Sequence, residues 1–121
     1  MTRSLHHVLA ILVLAISYST PTLKAQAQRP AGDEMVLLVK GLTSDTRDAI
    51  ANDLRQSGEG KLVYACVPAG ILVIEYSASN GEARQHALAT AKRHVAAKDI
   101  QEHGIGRQGA ETRCAQARAQ R

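Results

Sequence analysis

The chain has 121 residues, which is about the length of one domain, and it carries a formal charge of +4. Nucleic-acid binding needs a clustered basic surface, usually with aromatic side chains that stack on bases. Without Arg3 and Lys24, which belong to a predicted signal peptide, the charge is +2, and this small excess together with the absence of Trp and Phe argues against nucleic acid as a partner. The length argues against a second domain.

The first 27 residues have the pattern of a signal peptide. Arg3 gives a positive start, residues 8–16 form an apolar stretch too short to span a bilayer, and Ala25-Gln26-Ala27 is an A-x-A cleavage pattern. An uncleaved N-terminal anchor is the alternative. Cleavage after Ala27 lowers the formal charge to +2 and delivers the mature chain to the periplasm or outside the cell. No stable membrane anchor is expected after cleavage.

Two cysteines, Cys66 and Cys114, lie in the exported part of the chain. In an oxidising compartment such a pair more often forms a disulfide than a metal site. A bridge would close a loop of about fifty residues and stabilise the fold by about 4 kcal/mol. The alternative is two separate thiols, because the sequence alone does not say whether the two Cα atoms are within reach.

The mature chain begins with a linker, residues 28–34, and the domain is expected over residues 35–105. A Val- and Leu-rich run at 35–39 predicts a buried central strand. Thr43 or Ser44 then caps a helix, which carries an apolar stripe and ends near residues 56–60. The stripe consists of Ile50, Ala51 and Leu54.

A hairpin and a second helix follow. The β-rich runs 61–67 and 71–76 are joined by Pro68-Ala69-Gly70, which favours a turn. Residues 82–97 predict a helix, and residues 99–103 predict a last edge strand. The order β-α-β-β-α-β predicts an α+β, ferredoxin-like, two-layer sandwich with two helices on one face of an antiparallel sheet.

Both faces of the first and third strands are apolar, although two helices cover only one face. A cover is therefore expected on the other face: the C-terminal segment folding back, a second copy of the chain, or a partner. Some exposed Val and Ile is the alternative. The Ala- and Arg-rich residues 106–121 are expected to be a polar, basic, solvated tail, or a docking tail for an acidic surface.

The strand, loop and helix start around Val39-Lys40-Gly41-Leu42-Thr43 resemble the heavy-metal-associated (HMA) domain family of copper chaperones and periplasmic mercury-binding proteins. The resemblance covers residues 35–105 and implies a ferredoxin-like fold. In that family the loop reads G-M-x-C-x-x-C, and its two thiolates bind a soft metal ion. Here Ser44 and Arg47 occupy the cysteine positions, and neither side chain replaces a thiolate. The chain resembles a degenerate member without the family's metal site.

Metal binding elsewhere would need the cysteines or the histidines. His86 and His94 are not at the i, i+4 spacing that brings two imidazoles to one ion on a helix. If reduced, Cys66 and Cys114 could take copper or another soft metal ion. No metal site or cofactor is therefore predicted, and the alternative is a site built from the two cysteines or from the histidines His86, His94 and His103.

The loop offers one other ligand, an anion. Helix N-termini bind anions, and Thr43, Ser44 and Arg47 lie where such a site would form. The alternative is simple capping by Thr43 or Ser44, with Arg47 paired with a nearby carboxylate.

The chain has neither a G-x-S-x-G elbow nor a C-x-x-C redox pair, so an enzyme is not predicted. We expect an exported binding or interaction module that self-associates or docks on a protein partner through the free face or the edge of its sheet. The alternative is a periplasmic heavy-metal (copper-type) binding or trafficking protein that uses Cys66, Cys114 or the histidines.

Overall fold

The computed structural model describes residues 32–78 and 81–121, which form four strands and three helices in the order β-α-β-β-α-β-α. The strands are β1 (Asp33–Val39), β2 (Gly60–Cys66), β3 (Ile71–Tyr76) and β4 (Ile100–His103). The helices are α1 (Ser44–Ser57), α2 (Gly81–Lys92) and α3 (Gly106–Ala119), and a short 3₁₀ turn, Ala97–Asp99, precedes β4. The predicted signal peptide, residues 1–27, lies outside the described residues.

The strands form one antiparallel sheet in the order β2-β3-β1-β4. β1 and β3 are therefore central, and β2 and β4 are the edges. Asp33 and Glu34 belong to β1 rather than to a linker, because β3 continues to Tyr76 and offers them backbone partners. The predicted edge strand is confirmed at residues 100–103, where it pairs with the second half of β1.

α1 begins and ends where its capping residues predict. The Thr43 side chain accepts a hydrogen bond from the Thr46 backbone N–H, and Gly58 ends the helix in the left-handed conformation with φ of +69°. Ile50 and Leu54 are fully buried against one face of the sheet. That face contributes large apolar side chains from the central strands: Leu37, Leu72 and Ile74.

α2 covers the same face but is shorter than predicted. It ends at Lys92 rather than near residue 97. The backbone N–H of His94 donates to the carbonyl of Ala91 three residues earlier, which tightens the last turn before the chain leaves the helix. Ala87 and Ala91 are fully buried, and their small side chains let the helix pack close to the sheet.

α3 lies on the opposite face, so the molecule has a third layer that the predicted two-layer sandwich lacks. Ala110 and Cys114 are buried there against Val36, Ile71 and Val73 of the central strands. Residues 106–119 are therefore a packed helix rather than a solvated tail. Of the covers considered for this face, the C-terminal segment folding back is the one that occupies it. Because the rest of α3 is polar, its sequence carries little hydrophobic signal.

Candidate functional site

The two cysteines form a disulfide between β2 and α3. The Cα atoms of Cys66 and Cys114 are 5.9 Å apart, and each residue is 1% exposed. This separation is in the usual range for a disulfide. The bond is compatible with an oxidising, exported environment. While it is intact, neither sulfur is a thiolate that could hold a soft metal ion or attack a substrate.

At the loop before α1, the side chains of the predicted anion site contact one another or their neighbours. Thr43 Oγ1 accepts from the Thr46 backbone N–H at 3.1 Å and is 2.9 Å from the Thr46 hydroxyl. Arg47 contacts Asp48 at 2.8 Å, and this hydrogen bond holds the pKa of the Asp48 carboxyl below its usual value. Ser44 is exposed at the first position of the helix. These contacts match capping and carboxylate pairing, and an anion site here stays a prediction.

The three histidines of the described region lie in separate places. His86 Nδ1 is 2.7 Å from Glu59, His94 Nε2 is 3.0 Å from Asp53, and His103 is on the edge strand β4. Within residues 32–78 and 81–121, no group of three or more His, Cys, Asp or Glu residues is arranged to hold a metal ion. Each of the first two histidines instead has a carboxylate as its neighbour.

Asp53 links the two helices that share a face of the sheet. Its carboxylate on α1 contacts His94 at 3.0 Å and Arg93 at 3.1 Å, both just beyond the end of α2. The hydrogen bond from His94, followed by the charges of Arg93 and His94, lowers the pKa of Asp53 despite an opposing contribution from desolvation. The cluster joins two elements and contains no nucleophile, so its geometry fits a structural role.

A surface cavity of about 370 Å³ opens where β1 ends. Among the described residues, five segments meet there: the end of β1, the β2–β3 turn, the 3₁₀ turn before β4, β4 itself, and α3. The polar side chains that line it are Lys40, Lys98, Asp99, Gln101 and Arg113. Three of these five side chains are cationic, and one is acidic.

Backbone contacts hold the walls of this cavity together. The Val39 N–H donates to the Gly70 carbonyl at 2.7 Å, and the Lys40 N–H donates to the Asp99 carbonyl at 2.8 Å. Gly70 has φ of +66°, and a Cβ at that position would lie 2.3 Å from the Val39 carbonyl oxygen. Only glycine fits such a close approach of the turn to β1. The cavity floor is therefore fixed by main-chain geometry rather than by mobile side chains.

Sequence reasoning missed this cavity. Lys40 was visible only as the residue that follows a strand, and Arg113 only as one of several basic residues of a tail. The residues are distant in sequence, and α3 has to fold onto the sheet before Arg113 reaches the others. The one local signal was the Pro68-Ala69-Gly70 turn, which predicts the hairpin but not its contact with β1.

Comparison with known proteins provides no relative from which a role could be transferred. No protein-family model, curated protein or solved structure matches the chain. The resemblance of the loop to the heavy-metal-associated family stays a prediction. None of the described helices is long and apolar enough to cross a membrane.

Proposed function

We propose that this chain is an exported interaction module that associates with a second copy of itself through the outer edge of β2. The observation that carries the proposal is the position of β2. It is seven residues long, lies at the end of the sheet, and pairs with β3 alone among the strands of the described residues. The outer side of such a strand offers backbone donors and acceptors to another strand.

The proposal includes a ferredoxin-like arrangement of the fold. β1 and β2 are both antiparallel to β3, so they run in the same direction on either side of it, and α1 connects them. A split βαβ unit has this connectivity. The likeness to the heavy-metal-associated family extends to the scaffold only, because Ser44 and Arg47 stand where that family has its cysteines.

The edge supports docking better than the face of the sheet. α3 packs on the second face, so that surface is occupied by the chain itself. The other edge strand, β4, has only four residues. Natural edge strands are often protected by charges, by proline, by a β-bulge or by short length. β2 has two protective features, the charge of Lys61 and a bulge at Val63 between the residue pairs of Leu62 and Tyr64. It has no proline and is longer than β4, so it offers the longer edge for pairing.

A second copy suits this edge because the strand is compatible with itself. In an antiparallel pair of β2 strands that brings Val63 of the two copies together, Lys61 of one copy and Lys61 of the other lie toward opposite ends of the pair. The only charged residue of the strand therefore meets no like charge. The remaining side chains are mostly apolar and half-buried, and pairing would remove more of their surface from water.

No specific observation favours the metal-handling alternative. Cys66 and Cys114 are bonded to each other, and the histidines are held apart by the elements that carry them. Export is supported by the signal-peptide pattern of residues 1–27 together with the disulfide.

Sedimentation of the oxidised chain from Gln28 onward, over a range of concentrations, tests the proposal. We expect a concentration-dependent dimer. Val63→Lys should abolish the dimer, because it places two ammonium groups opposite each other at the centre of the pair. Val63→Thr keeps a β-branched side chain without charge and should still dimerise. A thermal melt of each variant establishes that it is folded. A strict monomer, or a dimer that Val63→Lys leaves intact, would refute association through β2.

A further inference from the structure

We propose that the cavity at the end of β1 binds a small dianionic ligand through a phosphate group. The side chains of Lys40, Lys98 and Arg113 bind this phosphate jointly. The proposal is independent of association through β2. It concerns the cavity at the end of β1 rather than the outer edge of β2, and a different chemistry.

The first argument is the balance of charge around the cavity. Lys40 follows β1, Lys98 lies in the 3₁₀ turn, and Arg113 projects from α3, so three separate elements bring a cation to one opening. Among the described residues that line the cavity, Asp99 is the single acidic one, which leaves a formal charge of +2. Like charges around one opening raise one another's energy, and an anion of two charges would neutralise the excess.

The second argument is that these cations lack the partners that other cations of the chain have. Four arginines contact a carboxylate: Arg47, Arg84, Arg93 and Arg107. In the part of the chain that the structure describes, Lys40, Lys98 and Arg113 form no ion pair. Arg113 only approaches Nε2 of His103, at 3.5 Å. Their charges are therefore available to a ligand.

The third argument is preorganisation of the frame. The Gly70 carbonyl accepts from Val39, and the Asp99 carbonyl accepts from Lys40, so the backbone around the opening is already in place. Arg113 directly precedes Cys114, whose bond to Cys66 fixes this turn of α3 against the sheet. A site whose backbone is fixed before binding loses less conformational entropy when the ligand enters.

Phosphate fits this set of donors better than other anions. A guanidinium group offers a planar pair of N–H donors that matches two oxygens of a phosphate, and two ammonium groups supply further charge. A phosphate monoester carries about −1.5 to −2 charges at pH 7, close to the excess charge of the lining. The volume of about 370 Å³ is at the small end of the range for ligand pockets. None of the described residues that line the opening has an aromatic side chain for stacking on a base.

The experiment is a titration of the oxidised chain with inorganic phosphate and, separately, with glycerol phosphate, followed by amide chemical shifts at constant ionic strength. We expect saturable shifts at Lys40, Gly70 and Asp99 at concentrations of up to about 10 mM. Tighter binding of glycerol phosphate would assign the site to a phosphate monoester, whereas equal or tighter binding of inorganic phosphate would assign it to the free ion.

A matched pair of variants on α3 separates the site from general attraction to a basic protein. Arg113→Gln should weaken binding at least about tenfold, because it removes charge-assisted hydrogen bonds to the ligand. Arg118→Gln removes the same charge from an exposed position on the same helix, outside the cavity, and should leave binding unchanged. Lys98→Gln provides a second variant that should lose binding, and its substituted residue lies outside α3.

Three results would overturn the proposal. The first is the absence of saturable shifts at the cavity. The second is an equal loss of binding in Arg113→Gln and Arg118→Gln. The third is a set of shifts centred on Thr43, Ser44 and Arg47, which would place the anion at the start of α1 instead.

Discussion

On one face of the sheet α1 buries two large aliphatic side chains and α2 adds small ones, whereas on the other face the buried residues of α3 are only Ala110 and Cys114. Full burial of a Leu or Ile side chain contributes about 1.5–3 kcal/mol. Ile50 and Leu54 are both fully buried on the first face. An alanine offers much less apolar surface, so hydrophobic burial alone holds α3 weakly.

The disulfide compensates for the small hydrophobic burial of α3. α3 has no side-chain hydrogen bond at its N-cap residue, Ile105. Isolated helices of its length, 14 residues, are marginal in water. Its exposed ion pair from Arg107 to Glu34, at 3.3 Å, adds little. The first face is thus held by packing and the second mainly by one covalent bond, and the proposed phosphate site depends on the second.

The largest expected loss of stability comes from removing the disulfide that holds α3 on the second face. The double variant Cys66→Ala with Cys114→Ala should lower the free energy of unfolding by about 4 kcal/mol, because the unfolded chain regains the freedom of the closed loop. Chemical denaturation measures the loss. Hydrogen exchange should show lost protection throughout α3, with protection in α1 retained under native conditions. Equal protection of α3 with and without the bond would show that packing alone holds it.

A substitution that leaves a void in the core of the first face should lower the free energy of unfolding slightly less. Leu54→Ala removes a fully buried side chain and should cost about 3 kcal/mol in the free energy of unfolding. Because the core joins α1 to the central strands, protection should fall in both together. Leu88→Ala, at a half-buried position of α2, is the control and should cost less. If the two losses were equal, the first face would not depend on its fully buried residues as described.

The smallest effect concerns the contact between the two helices of the first face. The pKa of Asp53 is lowered in the folded chain by His94 and Arg93, so its ionised form stabilises the fold above the unfolded pKa of about 3.9. This contribution is lost as the pH falls through the lower, folded pKa. Asp53→Asn should therefore destabilise the protein at neutral pH, and the difference from wild type should shrink on acidification.

Denaturation of both proteins between about pH 2 and 7 measures this dependence on pH. Asp33→Asn is the control for the substitution itself, because Asp33 is exposed and forms no ion pair with any residue described, and at neutral pH it should destabilise the protein less than Asp53→Asn does. A difference between Asp53→Asn and wild type that stays constant down to the lowest pH would contradict the assignment to the carboxylate.

Local patterns in the sequence were sufficient for most of the elements. The β-rich run at 71–76 coincides with β3, and Pro68-Ala69-Gly70 forms the expected turn. Thr43 caps α1, one of the two residues considered, and Gly58 ends it. These features depend on neighbours within a few residues, because capping, turn formation and apolar periodicity are short-range effects. The pairing of Arg47 with a carboxylate was among the alternatives considered for the loop, and its partner, Asp48, is the next residue in the chain.

The sequence by itself thus determined the strands, the first two helices, the mixed α+β class and the possibility of a bridge. Only the tertiary structure decided that residues 106–119 fold onto the sheet, that Cys66 meets Cys114, and that Arg113 joins Lys40 and Lys98 at one cavity. The physical reason is that α3 is a polar segment with a small buried face, so its position depends on a partner 48 residues away along the chain. No local pattern records such a contact.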